Sequence, residues 1–468
     1  VRWRAKDYQV HAVQHGLDCF NDDGACALFL DPGLGKTSIT LAIFTVLKKR
    51  GNVHALLVLA PRRAMLHTWP AEIAKWDQFK DFSISMIHGT RAERSAALAV
   101  KADVYLMHYD NLHWLAAALI GSPAPFDMLA NDESTKIKNP STRRFKSLSH
   151  MLPRFKMRVA LSGTPTPLHI GDLFGQVYAC DMGARLGSGI TKFRTEYLTA
   201  KWLPGVPEPI WGPQPDAEER IFSKLNGMAL RLASADHLAM PELVRNTITV
   251  DLPLDAQKQY RKLKRDLVID IEGGKVTAAN AAAASMKLRQ IASGVVYTTT
   301  GEAVPVHSAK VDALLDLLEE QQGQPLLVAT GFRSEVAHLQ RVLKEAGYGD
   351  VPALMGGVTD AYADRVILAW NTGRLPVLLC HPTTVAHGLN LQSGGHSVCW
   401  YSMTFNLEEF IQFNARVWRQ GQPSPHVIVH HIAARDTIDS HVDEVVRAKD
   451  MRQNALFEAL VRHAKEAA

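Results

Sequence analysis

One stretch restricts this chain more than any other: Ala27-Leu-Phe-Leu-Asp31-Pro-Gly33-Leu-Gly35-Lys36-Thr37-Ser38, an apolar run that breaks at a Gly-Leu-Gly-Lys-Thr turn and then takes up helical spacing as far as Arg50. This is the layout of a phosphate-binding loop between a buried strand and a helix. Gly33 and Gly35 let the backbone curl so that successive N–H groups point inward, toward an anion that the positive end of the next helix also favours. Lys36 adds a mobile positive charge for outer phosphates, and Thr37 offers a hard hydroxyl oxygen of the kind Mg2+ accepts. The full pattern G-x-x-x-x-G-K-T is not met, because Leu30 stands at its first glycine. A strand, such a loop and a helix in succession point to a parallel sheet covered by helices, with ligands at the carboxyl ends of its strands.

The alternation of apolar runs with helical patterns occurs twice. Runs at 55–60, 83–87, 104–108, 126–130 and 157–161 read as strands of a first sheet, and runs at 325–329, 377–380, 397–401 and 427–432 as strands of a second. A chain of 468 residues divides naturally into two such domains, expected at 1–240 and 241–468. An α/β fold with two parallel-sheet lobes follows. A helical insertion near 255–295 carries Gly273-Gly274 and an Ala-rich run, and 183–215 is too rich in Pro and Gly for a core element. Trp202 and Trp211 within it are expected to pin a loop. Ahead of the phosphate loop, Val10, Val13, Leu17 and Phe20 mark one face of a helix that Tyr8-Gln9 opens, and Gln9 is placed to offer its amide to a base edge.

Charge is uneven. Residues 1–240 carry 29 Lys/Arg against 22 Asp/Glu and 241–468 carry 23 against 25, so the first half is the better partner for a polyanion. Arg143, Arg144, Lys146, Arg154, Lys156 and Arg158 run without an intervening acid, which suits either a nucleic-acid backbone or a solvated face. Five scattered cysteines give neither a disulfide framework nor a zinc ribbon and read as buried free thiols. With no apolar run of membrane-spanning length and no signal-peptide core at the N-terminus, the expected location is cytoplasmic.

Asp132 and Glu133 close the 126–130 run, at the end of a strand where a nucleotide on the neighbouring loop would meet them. There Asp132 would hold Mg2+ with Thr37, and Glu133 would orient or deprotonate the attacking water. The second domain has no phosphate loop. Its candidate contribution is Gln412-Phe-Asn-Ala-Arg416-Val-Trp-Arg419-Gln-Gly-Gln422, read as two arginines on one helical face whose guanidinium groups stabilise a transferring phosphoryl.

Together these residues resemble superfamily 2 helicases, specifically the Swi/Snf-like DNA-dependent ATPases, over nearly the whole chain. Tyr8-Gln9 is similar to the adenine-sensing Q motif and Gly33, Gly35, Lys36 and Thr37 to motif I. Val58-Leu-Ala-Pro61 with Trp69, Glu72 and Trp76 is similar to motif Ia, Asp132-Glu133 with Ile137-Lys-Asn139 to motif II, and Ser162-Gly-Thr-Pro165 to motif III. Gly388-Leu-Asn390-Leu-Gln392 resembles motif V and Gln412 to Gln422 motif VI, the two most family-specific signals. Four positions depart from the family pattern: Ser134-Thr135 replace Ala-His, Pro167 stands where Asn is common, and His387 precedes Gly388. They bear on coupling rather than on catalysis.

The resemblance implies two RecA-like lobes, ATP and Mg2+ as cofactors, and catalytic roles for Lys36, Asp132, Glu133, Arg416 and Arg419, with Gln9, Gly33, Gly35, Thr37, Gly388 and Gln412 binding the nucleotide. It further implies a monomeric motor of bacterial or phage type that translocates on double-stranded DNA without separating the strands. Two alternatives stand beside it: a strand-separating or fork-remodelling helicase, and an ATP-switched DNA clamp that recruits a nuclease or repair protein.

Overall fold

The computed structural model describes residues 1–448 apart from Leu168, 203–208, 273–277, 298–301, 386–388, His441, Asp443 and Arg447. Gly388, His387 and the Gly273-Gly274 pair therefore lie outside the described residues. Internal packing divides the chain into one unit of Val1–Thr199 and Trp211–Leu238 and another of Ala200–Ile210 and Ala239–Asp450.

In the first unit seven parallel strands form one sheet: β1 (Ala25–Leu30), β2 (Leu56–Ala60), β3 (Ile84–Ile87), β4 (Val104–His108), β5 (Met128–Asp132), β6 (Met157–Ser162) and β7 (Ala229–Leu232), in the order β3-β4-β2-β5-β6-β1-β7. Every residue of β1, β2, β5 and β6 is buried, as expected where helices cover both faces of a parallel sheet. β5 begins two residues later than its apolar run suggested. Phe126 is consumed by ring packing on Tyr105 and Phe155, so the strand starts beyond it and ends on Asp132. Register then aligns the carboxyl ends that matter: Ser162 lies opposite Phe29, and Leu161 opposite Asp132.

Helix α1 (Asp7–Asp22) packs on α2 (Lys36–Lys49) with a different face from the one its aliphatic residues mark. Val10 is 55% exposed, whereas Tyr8, Gln9, Ala12, Gly16, Leu17 and Cys19 are buried. At Gly16 the two helices come close: a Cβ there would lie 2.4 Å from the Ile43 side chain of α2, which would have to move aside. The Pro-rich region is also more regular than its composition implied, with a helix at Ile190–Tyr197 and paired strands at Leu198–Lys201 and Ile210–Pro213. Trp211 does pin it, under the Arg194 guanidinium at 5.1 Å, while Trp202 is 66% exposed.

The second unit holds six parallel strands, β8 (Glu242–Val250), β9 (Leu326–Ala329), β10 (Ala353–Leu354), β11 (Val377–Cys380), β12 (Ser397–Trp400) and β13 (His426–Ala434), in the order β8-β13-β12-β9-β11-β10. The helical insertion is a pair, α3 (Leu254–Glu272) and α4 (Ala278–Ser293), seated on the sheet through a core of Leu252, Ala256, Tyr260, Leu288, Ile291, Ala292 and Ala434. A short helix, α5 (Leu407–Asn414), precedes the arginine-bearing segment. Among the described residues, no helix is long and apolar enough to cross a membrane.

Candidate active site

The loop after β1 is glycine-shaped as the sequence requires. Gly33 and Gly35 adopt φ of +91° and +82°, the left-handed region where a side chain is strained, and Gly35 occupies the position just before α2. A Cβ on Gly35 would also lie 2.6 Å from Gln9 Nε2, because that amide donates to the Leu34 carbonyl at 3.2 Å while Gln9 Oε1 accepts from the Lys6 backbone at 3.0 Å. Gln9 thus fastens the start of α1 to the loop. Lys36 Nζ folds back to donate to the Leu30 carbonyl at 2.9 Å.

Two further anchors hold the loop, the first unmarked in the sequence and the second built from the Glu72 and Trp76 of the motif Ia resemblance. Asp31 is bonded by the buried Arg231 and accepts from the Ser234 backbone at 2.9 Å, so edge strand β7 fixes the residue where the loop begins. At the other end, Ser38 donates to Glu72 Oε1 at 2.5 Å, and the same oxygen accepts from Trp76 Nε1 at 2.7 Å.

Asp132 ends β5 with 9% exposure and accepts from Trp69 Nε1 at 2.9 Å. Burial, reinforced by the neighbouring Glu133, pushes its carboxyl up to about 6, opposed by the Trp69 bond and the Lys36 charge. That influence also places Lys36 electrostatically beside Asp132. Glu133 follows with φ of +54°, a costly conformation for a non-glycine residue, and it turns the chain off the strand end. The Thr37 hydroxyl and the Asp132 carboxylate are both hard oxygen donors, and a carboxylate made costly by burial is one that a cation relieves. The donor set therefore fits Mg2+.

Ser134 and Thr135 are buried. The Ser134 hydroxyl donates to Gln176 Oε1 at 2.7 Å, and Gln176 Nε2 donates in turn to the carbonyls of Pro165 at 2.6 Å and Asp172 at 2.8 Å. A single fully buried amide thus ties the segment after β5 to the segment after β6. In that second segment, Ser162 Oγ accepts from the Thr164 backbone at 3.0 Å.

In the second unit the arginines do not share a helical face. Helix α5 ends at Asn414, and Arg416 and Arg419 follow in turns, where Arg416 N–H bonds Phe413 O and Trp418 N–H bonds Asn414 O. Arg416 is buried, donating to Gln412 O at 2.9 Å, Gln412 Oε1 at 2.8 Å and Leu389 O at 3.1 Å. Arg419 donates to Asn390 Oδ1, and burial holds its pKa below the usual guanidinium range. The segments bearing Asn390 and Arg419 are also linked by Gln392 Nε2 to Gln420 O at 3.5 Å.

The basic run is largely spent on structure. Arg158 is buried and bonds the carbonyls of Cys180, Phe155 and Asp23; Arg154 bonds those of Ser122 and Leu119; Lys156 pairs with Asp127 at 3.0 Å. Arg143 and Arg144 remain at a surface cavity of about 340 Å³ with Tyr109, Asp110, His113 and Thr142, where Arg144 pairs with Asp110.

Two family descriptions match the chain: "SNF2-related domain" over residues 8–293 and "Helicase conserved C-terminal domain" over residues 309–421. It is 33% identical over 469 aligned positions to "Putative protein p41" of Acyrthosiphon pisum secondary endosymbiont phage 1, covering 98% of each chain. Identity is 25% to "Putative ATP-dependent helicase/translocase YwqA" of Bacillus subtilis, covering 93% of this chain and 47% of that one. It is 26% to the Xenopus tropicalis SWI/SNF-related matrix-associated actin-dependent regulator of chromatin subfamily A-like protein 1, covering 91% and 42%. The chain thus spans nearly all of the phage protein and less than half of the other two.

Proposed function

This chain belongs to the SNF2-related family, and from that premise we propose that it is a DNA-dependent ATPase that translocates on duplex DNA, coupling hydrolysis to remodelling of DNA or of protein on DNA. The observation that carries the reading is the grouping, at the carboxyl ends of β1 and β5 on either side of β6 in one parallel sheet, of the Gly33–Thr37 loop with a buried Asp132 that feels the Lys36 charge.

Loop amides and Lys36 would hold the phosphates of ATP, and Thr37 with Asp132 would hold Mg2+, which when bound neutralises phosphate charge. Trp69 keeps the Asp132 carboxylate oriented by its N–H. Glu133, aimed by its left-handed backbone, orients the attacking water and accepts its proton. Gln9 reads the base while fixing the loop that receives the phosphates. Arg416 and Arg419 meet the negative charge that grows on the transferred phosphoryl, with Gln412 holding Arg416 in place. DNA affinity in this reading comes from phosphate contacts, so it weakens as salt rises.

The decisive measurement is steady-state ATPase titrated with duplex, single-stranded and forked DNA and with RNA, alongside triplex and strand displacement. Strong stimulation by duplex, displacement of a triplex strand without unwinding, and a Glu133→Gln variant that binds ATP and DNA but hydrolyses poorly are expected. Equal rates with and without DNA in a nucleic-acid-free preparation would sink the coupling, and strand separation would move the assignment to a helicase.

A further inference from the structure

Cys19 and Cys26 are buried free thiols, as the sequence suggested, and the fold brings them together. Cys19 lies on the inward face of α1, one turn beyond His15, and Cys26 is the second residue of β1. The rotation of α1 turns His15 and Cys19 toward the strand, and one ligating atom from each of His15, Cys19 and Cys26 lies within 4.8 Å of the others. Cys19 is 1% exposed and Cys26 is fully buried, while His15 is partly exposed and offers the way in from solvent.

We infer that this trio is a binding site for a thiophilic d-block cation, Zn2+ being the natural occupant. The geometry is specific. Bond lengths of about 2.3 Å to thiolate and 2.0–2.1 Å to imidazole set a tetrahedral N···S edge of roughly 3.6 Å and an S···S edge of roughly 3.8 Å. The His15 Nε2 to Cys19 Sγ separation is 3.5 Å, already at that edge length, and the remaining edges close within about 1 Å. A fourth donor is at hand, since the Met228 carbonyl lies 3.1 Å from His15 Nε2 and 3.7 Å from Cys19 Sγ. Two sulfurs and an imidazole select Zn2+, Co2+ or Cd2+ over Mg2+, so the site does not compete for the ion that accompanies a nucleotide.

On binding, the two thiols release their protons to solvent, the His15 proton moves to Nδ1, and the ion takes the freed lone pairs with no change of oxidation state. The consequence is mechanical. The same helix carries Tyr8 and Gln9 at its start, and the same strand runs into Asp31 and the glycine loop, so the ion adds a direct clamp between α1 and β1 to the Gln9 bond that ties α1 to the loop.

Co2+ is the probe, titrated into the reduced, metal-free full chain. One equivalent is expected to give thiolate-to-cobalt charge-transfer absorption and tetrahedral ligand-field bands, both bleached by Zn2+, and Zn2+ is expected to raise the melting temperature in a concentration-dependent way. The bands vanish in His15→Ala and Cys19→Ser and persist in Cys399→Ala, whose thiol lies in the second unit. Because Cys19→Ser removes a buried group, the partly exposed His15→Ala serves as the variant expected to fold. Absence of charge transfer at saturating Co2+, or bands retained in folded His15→Ala, would show that the trio is only a hydrogen-bonded packing contact.

Discussion

In the first unit most residues of the site lean on other side chains, Asp132 on Trp69, Asp31 on Arg231 and Ser38 on the Glu72 that also holds Trp76, while Lys36 leans on the Leu30 carbonyl. In the second, Arg416 leans on the carbonyls of Leu389 and Gln412 as well as on the Gln412 amide, and Arg419 on Asn390. A site braced by side chains can be retuned one substitution at a time. A guanidinium braced by carbonyls is part of the loop it fastens, so its removal tests chemistry and architecture together.

The largest effect falls on the loop itself. Lys36→Ala is expected to cut ATP turnover by roughly 10²–10³-fold with little change in melting temperature, since it gives up one hydrogen bond to the Leu30 carbonyl and a charge near Asp132. A comparable loss of stability would break the contrast.

Next come the arginines, where Arg416→Ala and Arg419→Ala should each lower turnover by about a hundredfold. They separate in the melt. Arg416→Ala leaves two carbonyls without this donor and costs about 1–3 kcal/mol, whereas Arg419→Ala frees only Asn390 and should melt like the wild type.

The second unit also carries a buried titration. Burial and the adjacent His431 depress His430 to about 4 from 6.5. The unfolded chain therefore binds the extra proton first, so the contribution is complete above pH 6.5 and is lost as pH falls toward 4. Between pH 7 and pH 5 His430 should cost the second unit about 2 kcal/mol in urea unfolding, and His430→Gln should remove that share, leaving the slope from His307 and His338, whose pKa values burial also lowers.

Trp69→Phe sharpens the first-unit side of the comparison. Without the indole N–H, the Asp132 carboxyl should rise by roughly one unit from about 6, moving the acid limb of kcat/KM upward and lowering activity about threefold at pH 6.5, with recovery at pH 8.5. An unmoved acid limb would remove Asp132 from the rate profile.

The smallest effect concerns the polar tie. Ser134→Ala and Gln176→Leu should each slow turnover a few-fold, and their double-mutant cycle should show a coupling of about 1 kcal/mol. Additive effects would mean that the buried amide does not transmit between the two segments.

What the sequence alone determined is what lies close together along the chain. Two glycines before Lys36-Thr37, apolar runs long enough for buried strands, and acids at a run's end are local patterns, and the strand at 104–108 and the loop φ values follow them closely. Helix boundaries depending on packing escaped: α5 stops at Asn414 before either arginine, and α1 buries Cys19 rather than Val10. Only tertiary structure could pair Asp31 with Arg231, Ser134 with Gln176, or Cys26 with His15 and Cys19. Such partners are chosen by strand order and by how closely helices approach, as Gly16 against Ile43 shows, and a hydrogen bond between distant residues leaves no periodic trace in sequence.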